Sequence, residues 1–481
     1  MDIKINNDVD LSKVISILSG SKKDIAIIEK NDKEFNELNR KDRDNQIGNI
    51  QKDKIVKNND GISKIVTANR IPIALANKIV NTAVGFEFGK PVKLTPSEEN
   101  ALSDQVFVDW KNARLDDKIQ KAKVLQKTHT QSALLFHYKD LKPNGFINKV
   151  LGVNNNRQIS CKVLDSMKSG EFFPYFDETG DMKFFVHQFK TTVLDDKLTE
   201  IIVDNCWIYD DVNVNKLSNT TNSWVLDKVE AHGFSKIPAV YMSQDKPEHY
   251  LVKDAIDRIE VCISRLGASN DYSGHPILFI EGEVFGMPDK NSDGKAMKTK
   301  VKYEDGKKVE GGDARFLTHD NAPESVKLEI EKLEDYIYSM TSTPNISFNN
   351  LKGMGNVATR TLEFMFMDAN IKKLMNEGQN RTDIERCINI IISGIITTSK
   401  ASLKSMANSL TFDIEFGNVM PNDFDELVVS LVAAVEGGIM SKETAIEMLG
   451  EADDYAEELK KILNNIESVN INSNTNNLND E

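Results

Sequence analysis

Gly353-Met354-Gly355-Asn356-Val357-Ala358 has the Gly-x-Gly-x-x-Ala spacing in which a bend free of side chains lets backbone amides approach a pyrophosphate. That chemistry also needs a hydrophobic strand directly before the loop and an acidic residue beyond the next strand. Here residues 345–352 are polar and the following pattern is helical, so the spacing stands without its context. His129, His137, His187 and His232 share no ligand spacing, such as two histidines four apart on a helix, and read as packing or surface residues. Cys161, Cys206, Cys262 and Cys387 are scattered, with neither paired metal spacing nor the density of a disulfide scaffold, which suits a reduced compartment. Lys290, Lys295, Lys298, Lys300, Lys302, Lys307 and Lys308 fall close together with few acidic residues between them. Two readings fit that run: a solvated turn region, or a basic face for DNA phosphates or an acidic partner. Tyr303 is the one aromatic residue among these lysines, so base stacking is not the mode. The chain has no Gly-x-x-x-x-Gly-Lys-[Ser/Thr] loop and is read as a non-enzyme without cofactor or metal.

The elements around these residues follow from hydrophobic spacing. Val252, Ile256, Ile259, Ile263 and Leu266 alternate steps of four and three, and so do Val326, Ile330, Leu333, Ile337 and Met340. Each set places a narrow apolar stripe on a helix. The second helix starts at Pro323 and stops before Pro344. The lysine run lies in the insert between the two helices, and the glycine loop follows the second. Upstream, Ile71, Leu75, Ile79 and Thr82 make a helix face, and Val84 to Phe88 reads as a short strand broken by Gly89 and Pro91. Ser97 is the expected cap of a helix carrying Leu102, Val106 and Trp110, and a second helix runs through Leu115, Ile119, Ala122 and Leu125. Alternation at Ile159, Cys161 and Val163, and a hairpin around Asp177-Glu178-Thr179-Gly180, mark a strand-rich region. Downstream, a long helix from Val357 with a kink at Gly378 leads to a strand at 411–416. Short helices then follow, one ended by Gly437-Gly438, one capped by Ser441 and one carrying Ala456, Leu459 and Leu463. Residues 1–60 and 467–481 are expected to be poorly ordered from their polar composition.

The chain has 481 residues, 40% of them hydrophobic and 28% charged, the balance of a folded protein too long for one core. No apolar run is long enough to cross a bilayer. The formal charge of -14 argues against a protein that grips DNA over its whole surface, since such grip comes from cations displacing phosphate counterions. An acidic wall past which DNA slides is compatible with it.

Several segments together resemble the tailed-phage portal proteins, in the group related to the SPP1 portal. They are Ala255-Ile256-Asp257-Arg258, Ser264, Pro276 to Gly282, Leu328 to Tyr338 and Thr343-Pro344-Asn345. The match extends to Asn69-Arg70-Ile71 through Val92, Val163 to Asp177, Lys236 to Tyr241, and Ile414 to Pro421. The order and spacing of these short patterns carry the resemblance. It implies an α+β portal fold: an α/β wing (61–247 and 357–420), long antiparallel stem helices (248–270 and 322–343), a small α/β clip (271–321), a tunnel loop (344–356) and a helical crown (421–466). On that pattern Asn345, Ser347, Asn349, Asn350, Lys352, Gly353, Gly355 and Asn356 line a DNA tunnel, and the clip lysines meet DNA or a partner. The implied assembly is a ring, typically of twelve copies, at one capsid vertex of the virion, formed in the host cytoplasm. Its implied partners are double-stranded DNA without sequence preference, the terminase large subunit, a head-tail adaptor, and the major capsid and scaffolding proteins, with no membrane. The alternatives are another ring or adaptor protein of the virion, or a nucleotide-binding enzyme built on Gly353 and Gly355.

Overall fold

The computed structural model describes residues 5–36, 53–57, 63–140, 157–194, 200–219, 223–273, 277–281, 284–285, 298–299, 302–310, 313–317, 323–345, 364–399, 401–417, 424–449 and 460–461. The chain forms two compact units, one of Met1–Asn345 and Asp368–Asn418, the other of Ile346–Met367 and Val419–Glu481.

The first unit begins with α1 (Leu11–Leu18), capped by the Asp10 carboxylate, and α2 (Ile25–Phe35), capped by Asp24. Poor order was the expectation for residues 1–60, and residues 5–36 depart from it. Leu11, Val14, Ile15 and Leu18 share one buried helical face, and Asp32 and Glu34 of α2 reach His129 at 2.9 Å and Lys253 at 2.8 Å. A ladder of β1 (Lys54–Lys57) and β2 (Ser63–Val66) follows, with residues 37–52 and 58–62 outside the description. Helix α3 spans Leu75–Phe88, so 84–88 is helix where the sequence suggested a strand. The reason is spacing: Val80, Val84 and Phe88 are four apart and all buried. Gly89 is the C-cap of that helix, its amide donating to the Gly85 carbonyl, and a Cβ there would lie 2.2 Å from that oxygen, so the site admits only glycine without a shift.

After β3 (Lys93–Pro96), α4 (Ala101–Ala113) starts at Asn100, which forms a capping box with Ser103. Ser97, the expected cap, instead accepts a hydrogen bond from the Thr411 amide at 3.1 Å. Arg114, in the left-handed region at φ 52°, turns the chain into α5 (Leu115–His129). Strands β4 (Gln131–Asp140), β5 (Arg157–Leu164), β6 (Glu171–Phe176), β7 (Met182–Leu194), β8 (Glu200–Tyr209), β9 (Asn213–Asn219), β10 (Trp224–Ala231) and β11 (Ala239–Ser243) build two antiparallel sheets, β11-β4-β5 and β10-β9-β8-β7-β6. The expected hairpin at 177–180 is the β6–β7 turn.

These sheets face each other through Leu135, Leu164, Phe172, Phe185, Tyr209 and Ala239. The outer face of the five-stranded sheet is covered by α1, through Leu18 on Phe173, Val186 and Leu217. The outer face of the three-stranded sheet is covered by α4, α5 and a long helix from the C-terminal half, with Leu102, Ile119, Ile159, Ile384 and Ile391 in one core. Helix, sheet, sheet and helices therefore stack as four layers.

Beyond β11 come α6 (Lys253–Ser273), the short pairs β12 (Ile277–Glu281) with β17 (Asp313–Leu317), β13 (Val284–Phe285) with β14 (Lys298–Thr299), and β15 (Lys302–Glu304) with β16 (Lys307–Glu310). Helix α7 (Pro323–Met340) returns, and α8 (Met367–Gly394) runs without interruption through Gly378, where a kink was expected. A π-helical turn, Ile395–Ser399, continues α8, and the strand expected at 411–416 is β18 (Phe412–Glu415), which pairs with β3. In the second unit α9 (Phe424–Glu436) ends at Gly437-Gly438, with Gly438 at φ 69°, and α10 (Lys442–Leu449) is capped by Ser441 through the Thr444 amide at 3.2 Å. Ala456, Leu459 and Leu463, placed in a third short helix, lie outside the described residues, as does 467–481.

At Gly394 a Cβ would stand 2.8 Å from Phe234, 2.9 Å from Ile159 and 2.9 Å from the Tyr138 hydroxyl, so α8 meets the sheet at backbone distance. Overpacking of about 1–3 kcal/mol should outweigh the roughly 1 kcal/mol helix gain of alanine. We expect Gly394→Ala to lower the urea midpoint followed by tryptophan fluorescence. Gly378→Ala, with open space around it in the same helix, should be neutral or stabilising. Equal midpoints for the two variants would contradict the close packing.

Candidate functional site

The helix pair places the sequence-derived stem residues together. α6 and α7 run antiparallel, joined at their far end by the β12–β17 ladder and bridged by Arg258 and Glu329 at 2.6 Å. Val252, Ile256, Ile259 and Ile337 are buried in one cluster with Leu75, Ala76 and Ile79 of α3, and Ile263, Ile330 and Leu333 pack partly buried against it. Val326 and Leu266 are half-buried. The narrow stripe expected for α6 widens, because its second face carries buried Asp257, Glu260 and Ser264. Glu260 Oε1 accepts the Ile73 amide and Ser264 Oγ accepts the Ile71 amide, both at 2.9 Å. An extended segment thus lies along α6, with Gly267 leaving room for Asn69 and Ile71. Polar residues at the helical spacing of 260 and 264 were the signal, and an apolar stripe alone passes over it.

Of the clip lysines, Lys298, Lys302, Lys307 and Lys308 stand on β-strands, while Lys290, Lys295 and Lys300 lie outside the described residues. The β15–β16 turn has Asp305 at φ 53° and Gly306 at φ 73°, the positive pair of a type I′ hairpin. Its register sets Lys302 across from Glu310 and Lys307 across from Glu304, whereas Lys308 stands across from Tyr303 and Lys298 across from Phe285. Of the tunnel-loop residues only Asn345 is described; Ser347, Asn349, Asn350, Lys352, Gly353, Gly355 and Asn356 are outside. The described elements on either side of that loop are the helices α7 and α8, not the strand a dinucleotide loop requires on its N-terminal side.

Where the α6–α7 pair meets α3, α5 and α8, four buried or part-buried charges alternate. Lys372 of α8 pairs with Glu248, Glu248 with Lys127 of α5 at 3.3 Å, and Lys127 with Glu87 of α3 at 2.9 Å. Asn376 and Asn380 donate to the Glu87 carboxylate at 2.7 and 3.3 Å, and Lys372 also donates to the Thr341 carbonyl at 2.7 Å. Burial pushes the Lys127 ammonium down, but Glu87 and Glu248 outweigh it and the net shift is upward. For Glu248, burial pushes up and the two lysines pull the carboxyl below its ordinary 4.5. Lys123 and Asp383 form a second buried pair at 2.7 Å between α5 and α8. His129 faces the Asp32 carboxylate at 2.9 Å, the rings of His187 and His232 lie 2.7 and 2.9 Å from the Ser169 and Asp210 carbonyls, and all four cysteines are buried. Among the described residues no group of His, Cys, Asp or Glu could hold a metal, and no helix is long and apolar enough to cross a membrane.

A family profile described as phage portal protein, SPP1 Gp6-like, matches residues 23–471. The chain belongs to this portal family. No curated protein matches it. The family is structural rather than enzymatic, and its members work as ring oligomers associated with the capsid. In this portal subunit the charged chain at the base of the α6–α7 pair was hidden in the sequence, since Lys127, Glu87, Glu248 and Lys372 each look like surface charges. The available sign was position: Lys123 and Lys127 follow Ile119 at steps of four, on the buried face of α5.

Lys127→Met would leave two buried carboxylates short of a cation, at a cost of about 3–5 kcal/mol. Adding Glu87→Gln should recover part of that loss, and a urea-based double-mutant cycle measures the coupling. The pH dependence has two edges. The depressed Glu248 carboxyl contributes stability above pH 4.5 that is lost as pH falls through its folded value. The raised Lys127 contributes stability below pH 10.5 that is lost as pH rises through its folded value. The gap between wild type and Lys127→Met should be flat between those edges and narrow outside them; a gap that varies across neutral pH would count against this network.

Proposed function

We propose that this portal subunit forms a closed ring at one capsid vertex, a passive conduit through which double-stranded DNA is packaged and later ejected. The observation that carries the reading is the antiparallel α6–α7 pair, rooted in an α+β body and tipped by short β-pairs, in a chain matched by the portal family over residues 23–471. In portal terms α6 and α7 are the stem, 271–321 the clip, the sheets with α3–α5 and α8 the wing, α9 and α10 part of the crown, and 344–356 the tunnel loop.

Side-by-side stem pairs would surround the axis, and the loop residues from Asn345 to Asn356 would line it. The net charge of -14 keeps a moving duplex from adhering. The clip docks the terminase large subunit during packaging and a head-tail adaptor afterwards, while the wing meets capsid and scaffolding proteins during assembly in the host cytoplasm. Register refines the clip reading. Lys302 and Lys307 stand across from glutamates in the ladder, whereas Lys298 and Lys308 stand across from Phe285 and Tyr303, so the second pair is the one we assign to a partner or phosphates.

Native mass spectrometry with negative-stain imaging tests the ring. Twelve copies of a 54.0 kDa chain should give a particle of about 650 kDa with a central hole. A monomer that persists at high concentration with scaffold present would end the portal reading. Within a confirmed ring, Lys298→Glu with Lys308→Glu should reduce DNA packaging more than Lys302→Glu with Lys307→Glu. The reverse order would remove the register argument.

A further inference from the structure

The chain leaves the first unit after Asn345 and re-enters it at Asp368. Both crossing points are held by one side chain. Lys372 lies one turn into the re-entering helix, donates to the Thr341 carbonyl just before the exit at 2.7 Å, and pairs with Glu248, which precedes α6. Glu248 is fixed in turn: its amide donates to the Lys127 carbonyl at 2.9 Å, and its carboxylate meets the Lys127 ammonium. On the exit side, Thr341 Oγ1 donates back to the Ile337 carbonyl at 2.7 Å and lies 2.9 Å from Thr343 Oγ1. The amides of Thr341, Ser342 and Thr343 all bond to carbonyls of α7, with Ser342 in the left-handed region at φ 52°. The neighbouring Lys373 does something different, reaching the Gly417 carbonyl at 2.8 Å.

We infer that Lys372 is a clamp, a positioning residue that fixes the exit and re-entry points of residues 346–367 against each other and against the root of the stem. The spacing of the two ends then does not depend on the shape those residues take. Load on them is carried through Lys372 and Glu248 into α5 and α3, and the α6–α7 root stays shut. A lysine suits the task because its single ammonium offers three donors on a long stem, enough to serve a carbonyl and a carboxylate together. What the clamp does for DNA passage rests on the portal reading of the loop; the clamp itself rests on the bonds above.

Hydrogen exchange on the full-length purified chain tests it without DNA. Lys372→Met should speed exchange at the Thr341, Ser342 and Thr343 amides and at the first turns of α8 by about tenfold or more, with the β4–β5 amides unchanged. Lys373→Met, which cuts a bond on the same helix that does not join the two crossings, should leave the Thr341–Thr343 amides at their wild-type rates, and Lys372→Arg should restore them to within about threefold. If Lys372→Met does not fold, Lys372→Gln, neutral and shorter, takes its place with the same outcomes. Wild-type rates in the neutral variant, or equal acceleration by Lys373→Met, would overturn the clamp. Failure of the portal reading would show instead as a wild-type chain that forms no ring, and the exchange result would stand apart from it.

Discussion

A run of charges inside a protein survives only when each has an opposite neighbour, because an unpaired ion loses more on leaving water than packing returns. Lys372, Glu248, Lys127 and Glu87 meet that condition as a neutral alternating series, closed at one end by Asn376 and Asn380 and at the other by the Thr341 carbonyl. Each member comes from a different part of the chain: α8, the segment before α6, α5 and α3. The series therefore specifies which elements meet, and at what depth, more sharply than aliphatic contact would. It also bears on why α3 continues to Phe88: Glu87, next to last in the helix, is the residue that carries a carboxylate into the interior.

Much of the architecture was legible in residue spacing. The helices α6 and α7, the β6–β7 hairpin, the strand at 411–416 and the glycine stop of α9 depend on local periodicity or on one backbone preference and stand where spacing puts them, although Met340, at the end of the α7 stripe, is half exposed. The misread places were those where a distant residue decides. Val84 to Phe88 looks like a strand when taken alone; it is helical because its stripe continues that of Ile79 and Val80. Ser97 is a good cap by type, but Thr411 claims its hydroxyl while Asn100 finds Ser103 in the right position. The first helices were underrated because polar composition hides four well-spaced aliphatic residues in α1 and the acids of α2, whose partners lie far along the chain.

The candidate functional surfaces were legible to a lesser degree, and for a physical reason. A lysine count measures charge but not register, and only the β15–β16 pairing separates Lys308, across from Tyr303, from Lys307, across from Glu304. The second buried face of α6 was likewise invisible to a hydrophobic reading, since its contacts are main-chain amides received by Glu260 and Ser264. A segment without its own helix or strand is held straight there by side chains of another element, which is how an extended strap keeps its amides satisfied away from any sheet.

The α6–α7 pair is closed at both ends. At the root Lys372 ties the last turn of α7 to the segment that opens α6, and at the tip the β12–β17 ladder sets Ile277 across from Leu317 in a five-residue register. Two rods pinned at one end can slide past each other; pinned at both, they cannot, and they act as a single strut. Bending or tilting of the whole pair remains available, while relative sliding would require breaking either the buried ion pairs or several ladder hydrogen bonds at once. Force applied at the tip therefore arrives at the body as leverage on α3 and α5, much as a crowbar delivers it to its fulcrum.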